Sequence, residues 1–322
     1  MTVSTALRKT LVAATAACSL VLASCGLGSA GGYTPSGTLD GPVKDVDLRG
    51  ASVAVGSKNF TEQILLGKMA TILLKSAGAS VKDMTNVPGA ATSRQAQLDG
   101  DIDFQWEYTG NGWINYLGHD DPILDPGELY RAVRDGDRKN GLEWLPPGAM
   151  NNTYGFAATS ATAQRLGVHS LSDVAKLPPD QLTFCVESEF ASRNDGFEPM
   201  LAAYGIPAGD VKKSVMDTGA VYQATANGDC NFGEVFTTDG RIKSLDLTVM
   251  DDDLPFFPKY NLSGVVREDL LDAYPGLADL FAPVVAKLDD ATMIDLNAKI
   301  DVDGEEPVEV AEDWLKEQGF LS

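Results

Sequence analysis

Histidine is nearly absent: His119 and His169 are the only two in 322 residues. Neither stands at ligand spacing from another donor, so no metal site is expected. General-base chemistry has few candidates of that kind. The Gly-x-Ser-x-Gly elbow, the His-Glu-x-x-His pair and the Gly-x-x-x-x-Gly-Lys phosphate loop are all missing, which argues against an exported enzyme. Basic residues are short too, with 25 Lys and Arg against 46 Asp and Glu, a net charge of −21. Such a surface repels phosphate backbones and anionic lipid alike. Nucleic acid is therefore not a partner, and charge does not hold the chain to a membrane. The acidic runs at 251–253 and 301–303 lack full calcium-loop spacing and read as solvated loops. The apolar run at 11–23 is too short to span a bilayer comfortably.

What is present begins with that run. Arg8-Lys9 precedes it, and Leu22-Ala23-Ser24-Cys25-Gly26 closes it. A basic start, an apolar stretch and small residues before a cysteine make a signal peptide over 1–24. The box looks like that of bacterial lipoproteins, implying cleavage before Cys25 and lipidation of its thiol; an ordinary secretory signal with an incidental cysteine is the alternative. Acyl chains there would anchor the exported protein to the outer face of the cytoplasmic membrane. Residues 26–42 are Gly, Ser, Thr and Pro with few large apolar side chains, so 25–50 is expected as a tether with order starting near Leu48. Of four cysteines, Cys18 leaves with the signal and Cys25 is lipidated. Cys185 and Cys230 remain, each in or beside an expected strand of the same half of the chain. In an exported protein they are expected to pair, the alternative being two buried free thiols.

The body reads as α/β. Residues 51–56 form a short buried strand. Asn59 is expected to cap the following helix, with Glu62 reaching back as in a capping box. That helix start offers free N–H groups to an anion, and Lys58 adds a charge beside it. A strand at 81–87 and a helix opened by Thr92 and Gln95 follow. In residues 102–108, Ile102, Phe104, Trp106 and Tyr108 alternate with Asp103, Gln105 and Glu107, period two. Thr109-Gly110-Asn111-Gly112 then breaks the strand into a turn. Tyr108 thus stands at the carboxyl end of a strand, where open α/β sheets bind ligands. Strands at 151–158, 182–186, 211–216 and 231–236 alternate with short helices and repeat the architecture. After strands at 247–250 and 262–267 the chain is mostly helical, and those late helices are expected to pack back on the first sheet.

Six segments then occur in order: 55–63 (Val-Gly-Ser-Lys-Asn-Phe-Thr-Glu-Gln), 107–110 (Glu-Tyr-Thr-Gly), 152–154 (Asn-Thr-Tyr), 193–196 (Arg-Asn-Asp-Gly), 238–242 (Thr-Asp-Gly-Arg-Ile) and 256–260 (Phe-Phe-Pro-Lys-Tyr). The set resembles the substrate-binding lipoproteins of ABC importers for glycine betaine, choline and related osmoprotectants. The resemblance implies a type II periplasmic-binding fold, with two α/β lobes joined by two crossovers and ligand in the cleft. Lobe one is expected at 51–153 plus 258–322, lobe two at 154–257. The resemblance carries an aromatic box for a quaternary ammonium onto Tyr108, Tyr154 and Tyr260, with Phe236 where the family usually has tyrosine. Its carboxylate contacts map to Lys58 and Arg193, with Asn59 at the adjoining helix start. Asn111 departs from the family's threonine and puts a carboxamide at the ligand's polar end. No cofactor is implied. The implied partners are a small quaternary amine (glycine betaine, choline, carnitine or a larger betaine such as ergothioneine) and permease subunits, with the binding protein a monomer. An amino-acid-binding protein is the alternative, and it would set an acid rather than rings against the ammonium. Trp106 shares a strand face with Tyr108 and is expected as core.

Overall fold

The computed structural model describes residues 34–119 and 122–322. The expected signal peptide and Cys25 lie outside them. Among the described residues ten strands build two sheets. The first contains β1 (Ser52–Lys58), β2 (Ser80–Val87), β3 (Phe104–Tyr108), β4 (Leu142–Trp144) and, from late in the chain, Leu262–Arg267. The second contains β5 (Tyr154–Thr159), β6 (Thr183–Glu187), β7 (Lys212–Met216), β8 (Phe232–Phe236) and β9 (Leu247–Val249), so that Leu262–Arg267 is β10. The orders are β2-β1-β3-β10-β4 and β7-β6-β8-β5-β9. Each sheet has a parallel trio, β2-β1-β3 or β7-β6-β8, continued by antiparallel strands. The chain passes from the first sheet to the second after β4 and returns before β10. An isolated bridge between Asn151 and Asn261 ties the two passages together.

Helices cover the first sheet, and its inner strands β1 and β3 are buried along almost their whole length. The helix α1 (Thr61–Ser76) buries Leu65, Leu66, Met69, Ile72 and Leu73 against Val53 and Val55 of β1. The late helices return to this lobe and share its core: Gly276–Val285 packs against Leu262–Arg267, while Asp290–Asp301 and Pro307–Glu317 pack on α1. There the Phe281 ring stacks on Phe104, with centroids 4.3 Å apart, and meets Trp106 edge-on at 5.4 Å. Trp106 is a core residue, and its Nε1 donates to the carbonyl of Leu66. The period-two pattern of β3 predicts one wet face, yet every residue of β3 is buried. The polar face is buried because its side chains are satisfied internally: Gln105 by Ser93 and Gln97, Glu107 by Lys58.

The structure corrects several local expectations. Residues 34–50 are not a free tether. Leu39 bridges Leu321, and Val43 and Leu48 are buried with the C-terminal helices, because three apolar side chains suffice to dock this Gly- and Pro-rich stretch. Phe60, not Asn59, occupies the N-cap position of α1, and no side chain caps it. Helix α2 (Ala90–Leu98) starts after Gly89, two residues ahead of Thr92. The 109–112 segment is not a simple turn but a short helix, α3 (Thr109–Asn111), running on through a π-turn to Tyr116. Cys185 and Cys230, by contrast, form the expected disulfide, with Cα atoms 5.8 Å apart. Among the described residues no helix is long and apolar enough to cross a membrane.

Candidate functional site

Between the two sheets lies a cleft of about 670 Å³. Lys58, Asn59, Tyr108, Asn111, Tyr154, Arg193, Phe236 and Tyr260 all line it. The topology explains the convergence. The parallel strands β1 and β3 deliver Lys58 and Tyr108 from their carboxyl ends, and β8 delivers Phe236 in the same way from the second sheet. Tyr154 opens β5 directly opposite Phe236 in the ladder, and Tyr260 precedes β10.

The rings form a continuous wall. Tyr154 lies 5.2 Å from Phe236 and 5.7 Å, edge-on, from Tyr260. A fifth ring, Phe60, stacks on Phe236 at 5.3 Å and faces Tyr108 at 6.4 Å. Phe60 was not assigned to the box from sequence, although an aromatic at the strand-to-helix turn beside Lys58 was there to be read. Burial raises the phenol pKa of Tyr108, Tyr154 and Tyr260 well above the ordinary value, so all three are neutral hydrogen-bond donors. The ring faces meet cations of the protein itself. Lys58 Nζ sits 4.7 Å from the Tyr108 centroid, and the Arg193 guanidinium carbon 5.1 Å from that of Tyr154.

Both cations are also paired. Lys58 Nζ donates to Glu107 Oε1 at 2.5 Å, with both side chains buried. Arg193 Nε and Nη2 donate to Asp195 at 2.7 and 2.8 Å, and Nη2 donates also to the Tyr260 hydroxyl at 2.6 Å. The flat double-donor edge of Arg193, expected to face a ligand carboxylate, is therefore held by Asp195. Asn111 joins the two ion pairs across the cleft. Its Nδ2 donates to Glu107 Oε1 at 3.1 Å, and its Oδ1 accepts from Arg193 Nη1 at 3.0 Å. A threonine hydroxyl is too short for both bonds. Asn59 neither caps α1 nor pairs with a charge. Its Oδ1 accepts from Gly89 N at 3.3 Å and links the starts of α1 and α2.

Glu62, expected to fold back on the α1 terminus, instead turns inward and accepts from Tyr108, Asn152, Thr238 and Asn297. Glu107, Asp195 and Glu62 were all missed as site-building residues, since their partners are distant in sequence. The wall of rings and the buried charges fit a binding cleft for a small organic ion.

The chain is similar to several known proteins. A model of the substrate binding domain of the ABC-type glycine betaine transport system matches residues 51–317. A glycine-betaine-binding protein of Pseudomonas aeruginosa is 39% identical, over 84% of this chain and 89% of that one. An ergothioneine transport permease/ergothioneine binding protein of Helicobacter pylori is 31% identical over 83% of this chain, which spans 48% of it. Among solved structures, a glycine betaine/carnitine/choline ABC transporter superposes with a TM-score of 0.70 at 28% identity, covering 83% of this chain and 98% of that one. These relatives are solute-binding proteins rather than enzymes. With rings, cleft and two-lobed architecture in place, the chain belongs to the substrate-binding family of ABC-type glycine betaine transport systems.

Proposed function

We propose that the cleft captures a quaternary ammonium compound, closes on it, and presents it unchanged to a permease. The observation that carries this reading is the five-ring wall drawn from both sheets, whose faces already attract the protein's own ammonium and guanidinium groups. A trimethylammonium head has no N–H to donate. Its selective attraction comes from ring faces and dispersion, at about 0.5–2 kcal/mol for each desolvated contact. Lys58, Arg193 and Asn111 serve the ligand's polar end. The protein acts as a monomer outside the cytoplasm, held to the membrane through lipid on Cys25.

Calorimetric titration of the soluble form against glycine betaine, choline, carnitine and L-proline tests this. Binding of at least one trimethylammonium compound is expected, with no heat from L-proline. Phe236→Leu keeps apolar volume and removes the ring, and is expected to weaken that binding by about 2- to 30-fold. Silence with every trimethylammonium compound would refute the reading. A larger betaine is the second candidate, because a cleft of about 670 Å³ exceeds what a trimethylated glycine fills. Ergothioneine in the same series separates the two.

A further inference from the structure

We propose that Glu62 is the hidden counter-charge of the ring box: a buried carboxylate that acts through Tyr108 to make the cleft prefer a cation over an uncharged ligand of the same shape. This deepens the reading above and rests on it. Glu62 is the second residue of α1 and is 3% exposed. Its Oε1 accepts from the Tyr108 hydroxyl at 2.5 Å and from Asn152 Nδ2 at 2.8 Å. Its Oε2 accepts from Thr238 Oγ1 at 2.6 Å and from Asn297 Nδ2 at 3.1 Å. All four partners are neutral.

Of the buried carboxylates packed against the rings, Glu107 is paired with Lys58, Asp195 with Arg193 and Asp239 with Arg241, while Glu187, Glu189 and Asp217 line the cleft at partly or fully exposed positions where water screens them. Glu62 has no ion pair among the described residues. Asp239, Arg241 and Asp301, which share a small polar cavity with it, satisfy one another, with Arg241 between the two acids. The charge of Glu62 is therefore spread over dipoles and remains uncancelled, one hydrogen bond behind a ring of the box. Coulomb attraction through low-dielectric protein is felt at that range. A phenol that donates to an anion also pushes electron density into its ring, which strengthens the face a cation meets. Burial raises the Glu62 carboxyl pKa, and the bonds from Thr238, Tyr108, Asn297 and Asn152 oppose the rise. A cation arriving in the box favours the ionised form further.

The test compares two ligands on three proteins. Choline and its uncharged carbon isostere, with tert-butyl in place of trimethylammonium, are titrated into the parent, Glu62→Gln and Glu62→Asp, with thermal unfolding as the check on folding. The parent is expected to prefer choline. Glu62→Gln is expected to lose about tenfold on choline and little on the isostere, and Glu62→Asp to restore most of the preference. An equal loss on both ligands would make Glu62 a packing residue only and overturn the proposal. So would an unchanged ratio in Glu62→Gln, or a parent that does not discriminate. Should Glu62→Gln fail to fold, Tyr108→Phe, which cuts the hydrogen bond and keeps the ring, is expected to narrow the preference; an unnarrowed ratio overturns the idea. A parent that binds no trimethylammonium compound at all fails earlier and refutes the functional reading itself.

Discussion

Glu234 shows how one residue couples the site to pH. It points from β8 into the second lobe, 3% exposed, and accepts from the backbone N–H of Glu187 at 2.6 Å. Burial, helped by the charge of Glu187, pushes its carboxyl up to about 8 from 4.5, although Arg193 and the backbone bond pull the other way. The folded state thus holds a proton that the unfolded state has released. The stability this group contributes is complete below about 4.5 and is lost as pH rises through about 8. Glu234→Gln is expected to flatten the fall of melting temperature across that window and to be more stable than the parent above it. Thermal unfolding over the pH series reads this directly, and a Gln variant with the parent's slope would place the titration elsewhere.

Short elements carry the second lobe, and a covalent link joins two of them. Cys185 lies within β6. Cys230 precedes β8, the strand that runs parallel beside β6. Closing a loop of 45 residues restricts the unfolded chain. Replacing both cysteines by alanine is expected to cost about 2–4 kcal/mol in denaturant unfolding, and a dithiol reductant is expected to lower the parent to the same value. Strands and helices with a clear period, such as β10 and the late helices, were legible because pattern and packing agree there. The three-residue β4 was not, since three residues show no period. The 109–112 stretch was misread because its glycines answer to neighbours, not to a turn: a Cβ at Gly110 would strike Tyr260, and one at Gly112 would strike Trp144. Glu62 abandoned its local cap for four distant donors, a choice that only the folded molecule can show. The ordered motifs located the residues that line the cleft, but the acids that hold Lys58 and Arg193 depend on pairing that no local pattern encodes.

At the scale of the molecule, binding depends on how closely the lobes approach, and Gly240 sets that approach. Its φ of −64° suits any residue, so backbone freedom is not the reason for glycine. A Cβ there would run into the backbone of Ala298, in the helix Asp290–Asp301 that packs on α1 of the first lobe. The same seam holds Asn297 Nδ2 donating to the Thr238 carbonyl at 2.9 Å and Thr238 donating to Glu62. Across the cleft, Arg193 reaches Asn111 and Tyr260. A ligand that touches both lobes favours an arrangement joined by such contacts only by its differential affinity for it. Gly240→Ala inserts a methyl into the seam, where overpacking costs about 1–3 kcal/mol. Because the two lobes have separate cores, that cost falls on closure rather than on folding. The variant is expected to keep the parent's melting temperature without ligand, to show a larger radius of gyration in solution scattering, and to bind about 5- to 150-fold more weakly. A variant that scatters and binds like the parent would mean that the seam yields without cost, and closure would then have to be governed from the Arg193 side of the cleft.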